Sequence, residues 1–385
     1  MTLSFRFAIA SDLHIALPHT VPQHTTRFHR TELSIPIFEQ VLEQFAQLDL
    51  DFLLIPGDLT QDGEPENHEW LSQRLSDLPY PVYVVPGNHD VLEREGGDRS
   101  IAADMFPTYY SQCGYGYRNG ASKSLYYACS PISDVTLIGL NSIFFDDEGQ
   151  QLHTGRLDKE QLIWLEGVLQ NHSGQMVMVM VHHNVVEHLP GQSRSALGRR
   201  YMLENAPALI ALLQQYGVRL VFTGHLHVQD VASVAANSTI NVSSSVRQEL
   251  STGDRLYDIT TGSLVTYPHP FRILEYQQTD THQATLCFET KRISSAPGWD
   301  DLQALSREFM AEQSSRFMMR LLTDPPLSMS ECEAIELLPH LRYFWPDITN
   351  GDAAFHFPQF PQAAQLFFER FSAPQAIDNS ATLVI

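Results

Sequence analysis

Residues 52–58 read FLLIPGD, an apolar run that ends at a glycine and a carboxylate. Residues 82–90, VYVVPGNHD, repeat this arrangement and add an amide, an imidazole and a second carboxylate. Short apolar runs that stop at proline and glycine are typical of buried strands in a parallel sheet. Each stretch therefore predicts a strand with polar side chains at its carboxyl end.

Three further motifs have the same placement in the sequence. Each follows an apolar run: Asp12-Leu13-His14 after residues 5–10, His182-His183 after 176–181, and Gly224-His225-Leu226-His227 after 219–222. Ligands of α/β proteins bind beyond the carboxyl ends of parallel strands. We therefore expect the five motifs to converge on one site.

The segments between the motifs predict an α/β domain. Apolar stripes at helical spacing, which are typical of core faces, lie at residues 37–48, 70–78 and 162–169. Together with the strand runs and one more at residues 135–140, they alternate in the order that gives mainly parallel neighbouring strands. Beyond residue 227, alternating segments predict antiparallel strands that complete a sheet, at residues 238–244, 257–267, 271–276 and 284–293.

The composition changes after residue 293. Pro297-Gly298 interrupts the chain, and the apolar spacing over residues 302–322 then predicts a long helix. Ser330 followed by Glu333 has the form of a capping box, and residues 363–371 predict a last helix. With 385 residues, the chain exceeds the usual size of a single domain. We predict a catalytic domain at residues 1–293 and a small, mostly helical extension at 294–385, a candidate lid or oligomer contact.

Charge and composition exclude several classes of function. The net charge is −21, which opposes capture of a nucleic-acid polymer because duplex binders neutralise phosphates with Lys and Arg. The four cysteines form no C-x-x-C pair, which argues against a thiolate zinc site and a disulfide framework. The run at residues 5–10 is too short for a signal core, and no run approaches the roughly 20 residues of a membrane span. We expect a cytoplasmic protein with no membrane partner.

The motifs supply carboxylate, amide and imidazole groups, which suit Mn, Fe or Zn. Asp12 and His14 are two residues apart at a strand end, so both can reach one ion. Asp58 follows a tight turn, where its two oxygens could bridge two ions. Taken singly, each motif has a simpler interpretation, a capping carboxylate or a surface histidine.

The motif at residues 87–90 is more specific. Asn88 offers a neutral carbonyl oxygen, and His89 can stand over a phosphate while Asp90 fixes its tautomer and raises its basicity. At 182–183, neighbouring side chains of a strand point apart, so we expect His182 to be the ligand and His183 to lie behind it or face solvent. The histidines in the loop after the first motif are expected at the surface, with a position at the rim of the pocket as the alternative: His19, His24 and His29.

Taken in order, the motifs D-x-H, G-D, G-N-H-[DE], H and G-H-x-H resemble the calcineurin-like metallophosphoesterase superfamily over about residues 1–293. The spacing and the Asp62-Gly63 turn are most similar to its class III branch of cyclic-nucleotide and glycerophosphodiester phosphodiesterases. The resemblance implies a four-layer fold in which two packed mixed sheets are flanked by helices. It implies one ion held by Asp12, His14, Asp58 and His227, and a second held by Asp58, Asn88, His182 and His225.

One departure concerns the wall of the pocket. Members of that branch often carry two prolines after the paired histidines, whereas Asn184 and Val185 stand here. The ligand is kept, but the pocket beside it is expected to have a different shape. The identity of the substrate therefore does not transfer with the resemblance.

The predicted activity is hydrolysis of a small phosphodiester, such as a cyclic nucleotide or a glycerophosphodiester. Two ions about 3.5–4 Å apart would activate a bridging hydroxide for in-line attack on phosphorus, with His89 stabilising or protonating the leaving oxygen. The resemblance implies Mn or Fe, and the ligand types also permit Zn. A phosphomonoesterase on the same metal core is the alternative, followed by a non-catalytic binding scaffold and a nuclease. A homo-oligomer stays open.

Overall fold

Two six-stranded sheets form the centre of the protein. The computed structural model describes residues 3–23, 28–117, 124–235, 255–279 and 284–385. The strands are β1 (Leu3–Ile9), β2 (Phe52–Ile55), β3 (Val82–Val84), β4 (Tyr127–Cys129), β5 (Val135–Gly139), β6 (Met176–Met180), β7 (Leu220–Thr223), β8 (Asp230–Ala235), β9 (Arg255–Thr260), β10 (Pro270–Gln278), β11 (Ala284–Arg292) and β12 (Ser380–Val384).

The α-helices surround the sheets. In the described part of the chain they are α1 (Ser34–Phe45), α2 (Pro65–Ser76), α3 (Phe106–Tyr109), α4 (Lys159–Asn171), α5 (Ala196–Arg199), α6 (Ala206–Gln215), α7 (Leu302–Thr323), α8 (Glu331–Leu337), α9 (Phe344–Asn350) and α10 (Gln362–Glu369). Among these described residues, no helix combines the length and the apolar character needed to cross a membrane.

Both sheets have a parallel centre. The first has the order β12-β11-β10-β1-β2-β3, with β1, β2 and β3 parallel and β10 antiparallel to β1. The second has the order β4-β5-β6-β7-β9-β8, with β5, β6, β7 and β9 parallel. Parallel neighbours bring the carboxyl ends of β1, β2 and β3 to one edge, and those of β6 and β7 to the corresponding edge of the second sheet.

Strand alternation explains how the layers pack. On β6, Met178 and Met180 belong to the core cluster shared with the first sheet, whereas Val177 and Val179 belong to the cluster that contains residues of α4 and α6. Successive strand side chains point to opposite faces, so one face of β6 packs on the other sheet and one on helices. The predicted architecture of two packed mixed sheets with helices is therefore confirmed.

The strand predictions succeed where apolar runs are continuous. All six continuous runs form strands, and the helical stripes form α1, α2 and α4. The strands after residue 227 differ from the prediction, because β8 and β9 complete the second sheet while β10 and β11 complete the first, and β9 is parallel to β7. The segment predicted at 238–244 lies outside the described residues. Neither β8 nor β12 is indicated by the sequence patterns.

The chain beyond residue 293 combines helices with one strand. The predicted long helix is α7, and the capping box is present at α8, where Ser330 Oγ accepts from Glu333 N and Glu333 Oε2 accepts from Ser330 N. Strand β12 pairs with β11 at the edge of the first sheet, with Leu383 opposite Leu286. Because this strand depends on a partner far away in sequence, local patterns do not reveal it.

A buried imidazole connects the loop after β6 with the second sheet. His188 Nδ1 lies 2.7 Å from Asp230 Oδ2, and Nε2 lies 3.3 Å from Asp258 Oδ2. Burial lowers the pKa of His188, but the two carboxylates outweigh it and raise the pKa to about 9. A protonated His188 therefore forms ion pairs with two buried carboxylates at neutral pH and balances one of their two charges.

We predict that His188→Gln lowers the free energy of unfolding by about 3–5 kcal/mol at pH 6, because both carboxylates stay buried without their cation. The pKa in the folded state lies above the usual value of 6.5, so this stabilisation is complete below about pH 6.5 and disappears as the pH rises through about 9. Urea denaturation at pH 6 and pH 9.5 measures it. The exposed His153→Gln variant is the control, and an equal penalty for His188→Gln at both pH values would contradict the assignment.

Candidate metal centre

The five motifs meet where the two sheets face each other. They directly follow the carboxyl ends of β1, β2, β3, β6 and β7, as predicted. Hydrogen bonds then connect them, because His14 N donates to Asp58 O at 2.9 Å and His225 N donates to Asp12 Oδ1 at 3.0 Å. The site is thus built from strand ends of both sheets and has little freedom to deform.

Unusual backbone conformations concentrate at this site. Nine non-glycine residues of the described chain have positive φ, and five of them belong to the motifs: Asp12, His14, Asp58, His225 and His227, with φ between 44° and 64°. Left-handed conformations of non-glycine residues cost free energy and cluster at functional sites. Backbone strain at these five residues therefore accompanies the convergence of their carboxylates and imidazoles on one site.

Glycines permit the close approach of the motifs. A Cβ atom at Gly57 would overlap the imidazole of His182, one at Gly87 would overlap Asp58, and one at Gly224 would overlap Asp12. Each glycine lies in a motif of one strand end and contacts a residue of another. Their lack of a side chain is therefore required for the carboxylates and imidazoles to converge.

A first donor group combines two carboxylates with two imidazoles. Asp12, His14, Asp58 and His227 each offer an atom within 4.8 Å of the others. Within it, His227 Nε2 lies 3.1 Å from Asp12 Oδ1, and His14 Nε2 lies 3.7 Å from Asp58 Oδ2. Three of these residues are essentially inaccessible to solvent.

A second donor group shares Asp58 with the first. Asp58, His182 and His225 meet the same 4.8 Å limit. His182 Nε2 lies 3.3 Å from Asp58 Oδ1 and 3.1 Å from Asn88 Oδ1, so the amide of Asn88 joins this group. The two oxygens of Asp58 thus face different groups, one toward His14 and the other toward His182.

Backbone carbonyls fix the orientation of two of these imidazoles. His182 Nδ1 donates to Pro56 O at 2.8 Å, and His225 Nε2 donates to Arg200 O at 3.0 Å. A histidine that donates from one nitrogen presents a lone pair at the other, which is the form that binds metal ions. Nε2 of His182 and Nδ1 of His225 are therefore the nitrogens available to a ligand.

The protonation states also suit metal binding. Burial, followed by the neighbouring imidazoles His29 and His89, holds the pKa of His14 well below its usual value. Burial raises the pKa of Asp58, but His182 and His89 outweigh it and hold that pKa well below the usual range. A neutral imidazole and an ionised carboxylate are the forms that coordinate cations.

Two observations test whether the residues fit metal ions. Both ring nitrogens of His14 are buried and have no hydrogen-bond partner in the described chain, an unfavourable state that a bound cation would relieve. Burial lowers the pKa of His182, but the charge of Asp58 outweighs it and raises the pKa to about 9, so a proton there compensates excess negative charge. Metal binding would replace that proton. The donor set therefore fits two cations with nitrogen and oxygen ligands.

His89 lies beside both groups, but its orientation differs from the prediction. His89 N donates to Asp58 Oδ1 at 2.8 Å, and the ring Nδ1 hydrogen-bonds the carbonyl oxygen of Gln61 rather than Asp90. The carboxylate of Asp90 accepts from Gly87 N at 2.8 Å and from Thr60 N at 2.9 Å. Asp90 therefore shapes the turn that carries Asn88 and His89, and the expected pairing with the His89 ring is corrected.

The residues after His182 are buried. His183 lies behind the second donor group, with its ring centroid 4.3 Å from that of His225 and its Nδ1 2.8 Å from Ser142 Oγ, so it is buried and does not face solvent. Asn184 donates to Thr223 Oγ1 at 3.0 Å and accepts from Gln192 Nε2 at 3.2 Å. Asn184 thus connects Thr223 of β7 with Gln192 in the loop after β6, and it does not line an open pocket wall.

His29 lies beside the donor groups, which is the alternative to the surface position expected for it. It is buried, and its ring centroid lies 4.2 Å from that of His14 and 5.0 Å from that of His227. His19 is exposed next to Glu66, as expected, and His24 lies outside the described residues. Nothing in the local sequence separates His29 from His19, because its burial depends on distant parts of the chain.

The helices beyond residue 293 pack behind the last motif. Leu226, which separates the two histidines of that motif, belongs to a hydrophobic cluster with Met318, Leu322 and Phe344. Gln229 N also donates to Thr349 O at 3.1 Å. The loop that carries His225 and His227 is therefore supported from behind by the helical extension.

The chain is similar in sequence to known phosphoesterases. The family model for calcineurin-like phosphoesterases matches residues 5–229, more than half of the chain. A 3′,5′-cyclic-nucleotide phosphodiesterase of Nostoc sp. is 28% identical over 226 residues, which cover 58% of this chain and 72% of that protein. A probable glycerophosphodiester phosphodiesterase of Arcobacter nitrofigilis is 28% identical over 194 residues, which cover 46% of this chain and 56% of that protein.

The fold is similar to that of a solved dimetal phosphatase. The structure from Danio rerio has a TM-score of 0.53 at 14% sequence identity and covers 75% of this chain and 96% of its own. At this identity, the likeness concerns the fold. With the ordered motifs, the two packed sheets and the matching family model, the chain belongs to the calcineurin-like phosphoesterase family.

Proposed function

We propose that this phosphoesterase hydrolyses a small phosphodiester at a dinuclear metal site centred on Asp58. The observation that carries the proposal is the position of this carboxylate, with one oxygen facing the His14 group and the other facing the His182 group. A bridging carboxylate between two nitrogen- and oxygen-rich groups is suited to hold two ions side by side. Such paired ions, when bound, activate water and stabilise the charge that develops in phosphoester cleavage.

The proposed ligand sets are those implied by the resemblance. Asp12, His14, Asp58 and His227 would hold one ion, and Asp58, Asn88, His182 and His225 the other. Six of these residues cluster within the 4.8 Å limits, and the contact of Asn88 with His182 adds the seventh, which supports this assignment. The ligand chemistry suits Mn or Fe, with Zn as the third candidate.

His89 is the proposed acid of the reaction. Its backbone N–H donates to Asp58 and its Nδ1 to the Gln61 carbonyl, so we assign the contact with the substrate to Nε2. From this position, an imidazole can donate a proton to the leaving oxygen or stabilise its charge. Asp90 contributes by holding the turn that presents His89.

The preference for a diester is supported by the relatives. The Nostoc protein is named a cyclic-nucleotide phosphodiesterase, and the Arcobacter protein a probable glycerophosphodiester phosphodiesterase. Both kinds of substrate are small diesters. The net charge of −21 also opposes binding of a nucleic-acid polymer, which needs Lys and Arg to neutralise its phosphates. We therefore propose a small diester rather than a polymer as the substrate.

The remaining parts of the proposal concern location and organisation. The four cysteines are free thiols, which suits a reducing compartment such as the cytoplasm. We propose residues 1–293 as the catalytic unit and 294–385 as an extension that supports the last motif. Self-association stays a prediction, to be checked by sedimentation of the purified protein.

We expect the metal-loaded protein to cleave bis(p-nitrophenyl) phosphate with a kcat/KM at least about tenfold above that for p-nitrophenyl phosphate. The physical reason is that the second ester group of a diester would add contacts with the protein beside the ions, whereas a monoester has no such group. Protein loaded with Mn and then cleared of free metal is the sample, and p-nitrophenolate release is the measurement.

Two other outcomes would identify different functions. Ready cleavage of the monoester with the diester left intact would replace this proposal by a phosphomonoesterase. Two bound ions without cleavage of either compound would instead indicate a binding scaffold. Chelated protein is the control, since activity that survives metal removal would contradict the proposed site.

A further inference from the structure

One buried histidine adjoins the donor groups without belonging to either. The ring centroid of His29 lies 4.2 Å from that of His14, 5.0 Å from that of His227 and 6.0 Å from that of His89. His29 is 7% exposed, so its imidazole faces the interior and not the bulk solvent. His29 and His89 thus both lie against the ring of His14.

The geometry places His29 beside the first ligand set rather than in it. His29 shares the 4.8 Å limit with His14 and His227, whereas the group that contains Asp12 and Asp58 does not include it. Ligands of one small ion lie about 2.0–2.2 Å from it, so any two of them lie within roughly 4.4 Å of each other. His29 therefore lies close to the two imidazoles of the first set but not to its carboxylates. From there, its side chain can contact a substrate bound to the ion.

Distant parts of the chain fix this position. The next residue, Arg30, has its guanidinium 3.7 Å from the ring centroid of Phe309 and 4.6 Å from that of Trp299, both beyond residue 293. Arg30 N also donates to Val265 O at 2.7 Å. Two cation–π contacts and a backbone hydrogen bond therefore hold the segment against the protein.

The same segment is connected to the residue that orients His89. Thr31 Oγ1 donates to Gln61 Oε1 at 3.3 Å, and the carbonyl of Gln61 accepts from the His89 ring. The two histidines that flank His14 are therefore set in place by one continuous group of contacts. This arrangement is expected of two imidazoles that act on the same substrate.

We propose that His29 contacts the substrate, donating a hydrogen bond from its imidazole to a non-bridging oxygen of the phosphoester on the side of the Asp12–His14–His227 group. The proposal rests on the proposed function, because it names a second contact to the same phosphate. It also gives the extension a role in the reaction, since Phe309 and Trp299 position His29 through Arg30.

The test compares three variants of the full-length protein loaded with Mn. His29→Ala should weaken binding of inorganic phosphate, measured by calorimetry, and lower kcat/KM for bis(p-nitrophenyl) phosphate, each by about 10- to 100-fold, because a hydrogen bond to a charged group is lost. His29→Gln keeps an N–H donor and should stay within about tenfold of the wild type. His19→Ala, an exposed histidine of the same loop, is the matched control and should behave as the wild type.

Metal content and phosphate affinity separate the outcomes. Two ions per chain in His29→Ala, with weaker phosphate binding and unchanged thermal stability of the metal-free protein, would support the contact. Loss of one ion would overturn the proposal by making His29 a ligand, and unchanged phosphate affinity would overturn it as well. If the wild type binds phosphate but cleaves no diester, the proposed function fails while the phosphate titration still decides the role of His29.

Discussion

Replacing Asp58 by asparagine should lower kcat/KM for a phosphodiester by about a thousandfold or more and remove most of the bound metal. Asparagine keeps the size of the side chain but replaces one carboxylate oxygen by an NH₂ group, which cannot face a cation. Whichever way the amide turns, either the His14 group or the His182 group loses its oxygen. Replacing this one oxygen atom therefore weakens the proposed dinuclear site, because the two ions share Asp58 as a ligand.

The magnitude follows from the charge that is lost. Metal ions contribute several kcal/mol of transition-state stabilisation, and each 1.4 kcal/mol corresponds to about a factor of ten in rate. The measurement is metal content by mass spectrometry together with p-nitrophenolate release. Asp77→Asn, at the exposed end of α2, is the matched control and should keep both metal and activity. A variant at Asp58 that retains two ions and activity within tenfold of the wild type would refute the bridging role.

Replacing His89 by alanine should lower the rate by about 10²- to 10⁴-fold while both ions remain bound. His89 contacts Asp58 through its backbone N–H, and this hydrogen bond does not depend on the side chain. The ligand sets therefore keep their geometry when the imidazole is removed. Loss of metal in this variant would show that His89 is a ligand and not the acid.

The leaving group distinguishes proton donation from charge stabilisation. p-Nitrophenolate leaves readily without a proton, whereas an alkoxide needs one. If His89 protonates the leaving oxygen, His89→Ala should slow an alkyl diester at least about tenfold more than bis(p-nitrophenyl) phosphate. Equal losses for the two substrates would instead assign His89 to stabilisation of charge on the phosphoryl group. His172→Ala, at the end of α4, controls for general effects of removing a histidine.

The fold could be predicted where its signals are local. The apolar runs that became β2 and β6, and the glycine in the turn after β2, reflect preferences of a few neighbouring residues. Strands β8 and β12 could not be predicted in this way, since each gains its stability by pairing with a strand from another part of the chain. The direction of β9 was also decided by its neighbour β7.

The candidate site was predictable in its donors but not in the groups that orient them. Motif order and strand ends identified the residues that the structure brings together around Asp58. The expected partner of His89 was wrong, because the carbonyl of Gln61 takes that place and every residue carries a carbonyl. The same reason hides the roles of Pro56 and Arg200, which orient His182 and His225.

By itself, the sequence determined the units of this protein: a buried strand followed by polar side chains, repeated at the ends of five strands, with a glycine in three of the turns. It could do so because strand periodicity and turn chemistry act over a few residues. Only the tertiary structure decided that His227 joins His14 while His225 joins His182, and that His29 is buried beside them. Those outcomes depend on packing between two sheets and on aromatic side chains beyond residue 293, whose contacts with Arg30 no local pattern encodes.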